Sequence, residues 1–125
     1  MMKNNPVVWF EIYVQDMARA KAFYESVFQT KLEMMSEGEM EMWGFPRGEN
    51  SEFGITGSLV KMQGVPSGGN STIVYFSCED CAVEGKRVIA AGGSVCQEKM
   101  SIGQYGFFVL AVDTEGNTIG LHSMK

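Results

Sequence analysis

The stretch VVWFEIYVQDMARAKAFY, residues 7–24, passes from a β-branched and aromatic run into a helical pattern, and its register decides the fold. Val7, Val8, Trp9, Phe10, Ile12, Tyr13 and Val14 surround one carboxylate, Glu11, and read as a strand buried on both faces. An unpaired carboxylate in such a strand would be driven toward its neutral form. Glu11 must therefore meet a hydrogen-bond partner, a cation or a wet cavity. Asp16 then offers an N-cap, and Met17, Ala20, Phe23, Tyr24, Val27 and Phe28 recur at helical spacing, with Arg19, Glu25 and Ser26 outside them. This predicts an amphipathic helix of about three turns.

Three extended segments follow, KLEMMSE (31–37), EMEMWGFP (39–46) and ITGSLVKM (55–62), separated by Gly, Pro and Asn. The unit is β-α-β-β-β. After GVPSGGNS (64–71) the order repeats: the strand STIVYFSC, an N-cap at Asp80, a helix through Ala91, then GGSVCQEK, QYGFFVLAV and NTIGLHS as strands. DTEGN joins the last two as a hairpin turn with Gly116 at a positive φ. From Asp16 to Asp80 the offset is 64 residues, and it lays Met17 on Cys81, Tyr24 on Val88 and Val27 on Ala91. Core positions fall on apolar positions. The expected architecture is α+β, a single domain over 6–124 made of module one (6–63), a linker (64–71) and module two (72–124).

The chain has 125 residues, 45% of them hydrophobic and 20% charged, enough for one ordinary core. Its net charge of -5, with no basic cluster, disfavours nucleic acid and anionic membrane surfaces. The apolar run after Pro6 is too short to span a bilayer, and MMKNN lacks a signal-peptide layout, so a cytoplasmic protein is expected. Cys78, Cys81 and Cys96 are expected as free thiols. The C-x-x-C of CEDC has no second pair to complete a zinc site, and the 64-residue offset makes Cys81 a core-facing helix residue. No G-x-S-x-G elbow surrounds Ser58, and no phosphate-loop pattern surrounds Gly68 and Gly69.

The D-M-x-R-A-x-x-F-Y helix, the repeated unit with its Asp and A-A-G-G, and the closing D-x-E-G-N-x-I-G-L strand resemble the vicinal-oxygen-chelate superfamily of glyoxalase I, bleomycin-resistance proteins and extradiol dioxygenases. The resemblance is nearest to the branch described as lactoylglutathione-lyase-related, and it spans about residues 6–124. It implies the glyoxalase-like fold of paired β-α-β-β-β modules around a shared cavity. In metal-dependent members, His and Glu ligands come from the first and last strands of each module. Carried onto this sequence, those positions are Trp9, Ile73, Gly120 and either Gly57 or Ser58, none of them a usual ligand. Independently of any resemblance, His122 is the only histidine, so sites needing two imidazoles are disfavoured. No metal and no cofactor are expected.

Residues two apart on a strand share a face, which groups Glu11 with Trp9, Tyr75 with Ile73, and His122 with Gly120. Trp9, Glu11, Trp43, Ser58 and Tyr75 are the candidate ligand contacts, with Phe45 adding aromatic wall and Met40, Met42 and Trp43 an adaptable cover. Glu11 and His122 are the candidate catalytic pair. The bland alternative has Glu11 hydrogen-bonded within the fold to Tyr75, His122 or a backbone amide. Three functions compete: a metal-independent homodimeric binder of a small organic molecule; a lyase or isomerase with Glu11 as base; and sequestration of a bleomycin-like cationic drug on Trp9 and Trp43.

Overall fold

The computed structural model describes residues 5–48 and 54–125. Part of the MMKNN start (1–4) and a segment of module one (49–53) lie outside the described residues. Module one runs β1 (Phe10–Tyr13), α1 (Met17–Phe28), β2 (Glu33–Ser36), β3 (Met40–Gly44) and β4 (Gly57–Met62). Module two repeats the order as β5 (Tyr75–Ser77), α2 (Cys81–Ala90), β6 (Ser94–Ser101), β7 (Phe107–Val112) and β8 (Thr118–Ser123), with a single 3-10 turn at Gly103–Tyr105.

Both helices start where the sequence places their caps. The Asp16 carboxylate accepts the Arg19 amide at 3.0 Å, and Asp80 accepts the Ala82 amide at 3.0 Å. Helix α1 ends on Gln29 in the left-handed region, whose N–H bonds back to the Glu25 carbonyl. The apolar stripes fall inward: Met17, Ala20, Phe23, Tyr24 and Val27 of α1 are buried, as are Cys81 and Val88 of α2.

Each module folds into an open four-stranded sheet, ordered β1-β4-β3-β2 and β5-β8-β7-β6. The β1–β4 and β5–β8 pairs are parallel and the others antiparallel. One side of both sheets packs on the helices, through Ile12, Leu59, Val109, Ala111, Ile119 and Leu121. Strand β5 is shorter than expected, and Thr72, Ile73 and Val74 precede it in irregular chain. Beyond Tyr75 the ladder persists only as the Gly120 amide donating to the Val74 carbonyl.

Strand β1 departs from the expectation of burial on both faces. Phe10 and Ile12 point toward the helices, whereas Glu11 is exposed and Trp9 keeps 37% of its surface. The reason is topological: both helices cover the same side of the sheets, and the other side faces solvent.

The modules are tied together at two places. Phe10, Phe28 and Phe45 of module one meet Phe76 of module two, with Phe28 stacked on it at 4.5 Å between centroids. The DTEGN turn makes the second tie. Glu115 accepts the Gln15 and Asp16 amides at 2.9 Å each and the Arg19 guanidinium at 2.7 and 3.1 Å. Asp113 accepts the Tyr24 hydroxyl at 2.6 Å, and Asn117 donates to the Tyr13 carbonyl at 2.9 Å. Gly116 takes the positive φ expected of it, 83°.

Candidate functional site

At the junction of the modules a cleft of 660 Å³ opens between the start of β1, the approach to β4 and strand β5. Trp9, Phe10, Phe28, Phe45, Tyr75 and Phe76 supply its aromatic surface, and Thr30, Thr56, Thr72 and Ser77 its aliphatic hydroxyls. Among the described residues no carboxylate, ammonium or guanidinium lines it. Trp9 and Tyr75 thus come together in one cleft, and Phe45 joins them as anticipated.

Glu11 lies beside this cleft, in a separate pocket of 270 Å³ bordered by Tyr13, the linker at Pro66–Gly68 and Thr118. Its partners are its own strand neighbours: Trp9 Nε1 and the Tyr13 hydroxyl each donate to one of its oxygens at 3.3 Å. Among the described residues Glu11 makes none of the alternative bonds to Tyr75, His122 or a backbone amide. The carboxylate and partial burial hold the Tyr13 hydroxyl above its ordinary pKa, burial contributing most, so it stays protonated as the donor.

His122 lines a third pocket, of 360 Å³, with Tyr75, Phe76, Ser77 and Ile102. Its Nε2 lies 2.6 Å from the Tyr105 carbonyl, which only accepts, so Nε2 is the donor in this bond. The expected catalytic pair is therefore split between two pockets.

Trp43 belongs to the other side of the sheet. It opposes Leu59, which is in the core, donates from Nε1 to Glu41 at 2.9 Å, and has the Lys21 ammonium 3.3 Å from its ring centre. A strand's alternation places Met40 and Met42 on the solvent side and Trp43 opposite them, so the three cannot form one cover. Ser58 is wholly buried rather than lining an open pocket.

Register settles the choice between Gly57 and Ser58. Glu11 opposes Ser58 as Tyr75 opposes Gly120, so Ser58 is the module-one equivalent of Gly120. The four positions that the resemblance matched to metal ligands thus become Trp9, Ile73, Ser58 and Gly120. A Cβ on Gly120 would run into the Tyr75 ring, so that ring fills the space a longer side chain would need. Among the described residues no three His, Cys, Asp or Glu side chains come together. The CEDC cysteines stay apart from such chemistry: Cys81 is buried in the core, and burial, helped by Glu84, pushes the Cys78 thiol up to about 12.

The bleomycin resistance protein-like N-terminal family matches residues 7–42. No functionally curated protein matches the sequence. Among solved structures, a hypothetical protein from S. aureus is 20% identical, with 94% of this chain and 96% of that chain covered and a TM-score of 0.69. A glyoxalase I variant from Zea mays is 18% identical with a TM-score of 0.74, covering 95% of this chain but 46% of its own length. A glyoxylase/bleomycin resistance protein/dioxygenase domain from Frankia sp. is 13% identical over 98% of this chain and 100% of that one, with a TM-score of 0.72. These likenesses establish the glyoxalase-like fold. Together with the family match they bear out the resemblance to the vicinal-oxygen-chelate superfamily.

Proposed function

We propose that this chain, with its bleomycin-resistance-like first module, binds a small, flat, uncharged organic molecule in the 660 Å³ cleft, without a metal ion. The lining carries the reading. Six aromatic side chains and, among the described residues, no charged group favour an apolar planar ligand, with Thr30, Thr56 and Ser77 as the polar anchors that fix its orientation. The volume suits a small-molecule site, which spans roughly 300–1,000 Å³. Trp9, Ile73, Ser58 and Gly120 do not fit a divalent ion, since none supplies a carboxylate or imidazole.

Two rivals gain less support. Sequestration of a cationic drug needs stacking surface, yet the Trp43 face is already taken by Lys21 and no carboxylate among the described residues lines the cleft. Lyase or isomerase chemistry through Glu11 and His122 needs both at one substrate, and they line different pockets.

The exposed Tyr75, Ile102 and Tyr105 leave apolar surface on the solvent side of module two. We read this as the surface that meets a second copy of the chain. Sedimentation velocity is expected to give a homodimer.

A thermal-shift panel of flat neutral aromatics tests the binding reading. Stabilisation by members of the panel is expected in the native protein and lost in Trp9→Ala and Tyr75→Ala. Dialysis against zinc, nickel, manganese and iron salts is expected to leave no stoichiometric metal. A metal ion coordinated in the cleft would contradict the proposal.

A further inference from the structure

We infer that the solvent side of module one's sheet holds a second, occluded subsite, floored by Gly44 and Ser58, bordered by Glu11 and plugged by the Met35 thioether, which admits a cationic N–H donor on an apolar body. None of these residues lines the aromatic cleft, so the two sites stand or fall separately.

The first observation is an orphaned hydroxyl. Ser58 is 0% exposed, and its Oγ has no hydrogen-bond partner among the described residues. Buried hydroxyls are ordinarily paired, because a buried polar group without a partner has lost its water and gained nothing in exchange. Register fixes where it points. Ser58 opposes Glu11 on one side and Gly44 on the other, and directly opposed residues share a face, so the hydroxyl lies on the exposed carboxylate's side of the sheet.

The second observation is what covers that spot. A Cβ on Gly44 would lie 2.7 Å from Met35 Sδ and 3.3 Å from its Cγ, so the Met35 side chain fills the depression the glycine leaves beside Ser58. Met35 sits in the irregularity between Met34 and Ser36, where the β2–β3 register shifts, and it is 54% exposed. It is an unbranched side chain resting on the surface, free to swing out. Alternation and register place Met40, Met42 and Met62 on the same side, giving a deformable apolar rim.

The third observation sets the ligand's charge. Each Glu11 oxygen accepts one long bond, from Trp9 or Tyr13, which holds the carboxylate over its strand and leaves further acceptor capacity on both oxygens. With Met35 displaced, the floor offers a carboxylate and a free hydroxyl side by side, ringed by thioethers. An amidinium or ammonium donates to both, while its apolar body takes the place of the methionine.

Benzamidine is the probe, titrated into protein carrying 13C-methyl methionine and followed by NMR, with the Met35 signal assigned by its absence in Met35→Ala. Saturable movement of the Met35 methyl is expected with benzamidine and not with benzoate. Ser58→Ala and Glu11→Gln are each expected to weaken binding about tenfold, the loss of one charge-assisted hydrogen bond, and Met35→Ala to tighten it by removing the plug. Ser58→Ala is also expected to melt at or above the native temperature, because its hydroxyl has nothing to lose. A Met35 signal indifferent to benzamidine, equal affinity in Ser58→Ala, or a lowered melting temperature for that variant would overturn the subsite. None of these outcomes bears on neutral ligands in the cleft.

Discussion

Glu11 is exposed because of the side of the sheet it occupies, and its hydrogen bonds come from residues two positions away on its own strand. Sequence parity placed Glu11 with Trp9 and Tyr75 with Ile73, but parity alone does not say which face the helices cover. Trp43 illustrates the same limit, since its side depends on pairing with Leu59, a register no local pattern reveals. Trp9→Ala removes a ring that is 37% exposed. In urea denaturation it is expected to cost about 1–2 kcal/mol, below the roughly 3–5 kcal/mol of a fully buried aromatic. Trp9→His is expected to gain no zinc or nickel affinity by calorimetry, because Ile73, Ser58 and Gly120 still offer no imidazole or carboxylate. Gly120→Ala forces its new methyl into the Tyr75 ring and is expected to cost about 1–3 kcal/mol. In a Tyr75→Ala background that cost should largely vanish, and a denaturation double-mutant cycle reads the difference.

The helices and the order of elements along the chain were legible because caps, periodicity and glycines act over a few residues: Asp16 and Asp80 cap as expected, and both inward stripes are buried. The DTEGN turn was legible only as a turn. Its larger role, a clasp from module two onto the start of α1, was hidden because Arg19 and Glu115 lie 96 residues apart. The available signal was an acidic pair placed in a hairpin where solvated residues would serve as well. Burial would raise the Glu115 carboxyl, but Arg19 and the Asp16 and Gln15 amides outweigh it and hold the group at about 2, against an ordinary 4.5. A carboxyl depressed on folding stabilises fully above its unfolded pKa and loses that contribution as pH falls toward the folded value. With screening at half-exposed Arg19, we expect about 2–3 kcal/mol from it at neutral pH. Stability should therefore fall between about pH 4.5 and 2. Glu115→Gln is expected to be less stable at pH 7 and to flatten that acid limb. A native-like slope in the variant's urea midpoints across this range would remove Glu115 as its source.

Across the whole molecule, two copies of one β-α-β-β-β unit share a helix-covered side and meet through the phenylalanine cluster and the Glu115 clasp. Their junction leaves an aromatic cleft, uncharged among the described residues, with Trp9 and Tyr75 in its wall. The repeat was readable from the 64-residue offset, but the cleft was not, because it depends on how the modules dock. Among the described residues no helix is long and apolar enough to cross a membrane. The chain has two tryptophans, and Trp43 lies away from the cleft, so Trp43→Phe leaves Trp9 as the single fluorophore in its wall. Titrating that protein with neutral N-phenylnaphthylamine, with and without EDTA, tests the central claim most directly. The account predicts saturable one-site quenching of Trp9 that is unchanged by the chelator and lost in the Trp43→Phe/Tyr75→Ala protein. Absence of quenching, or quenching that appears only when zinc or nickel is supplied and vanishes with EDTA, would contradict it.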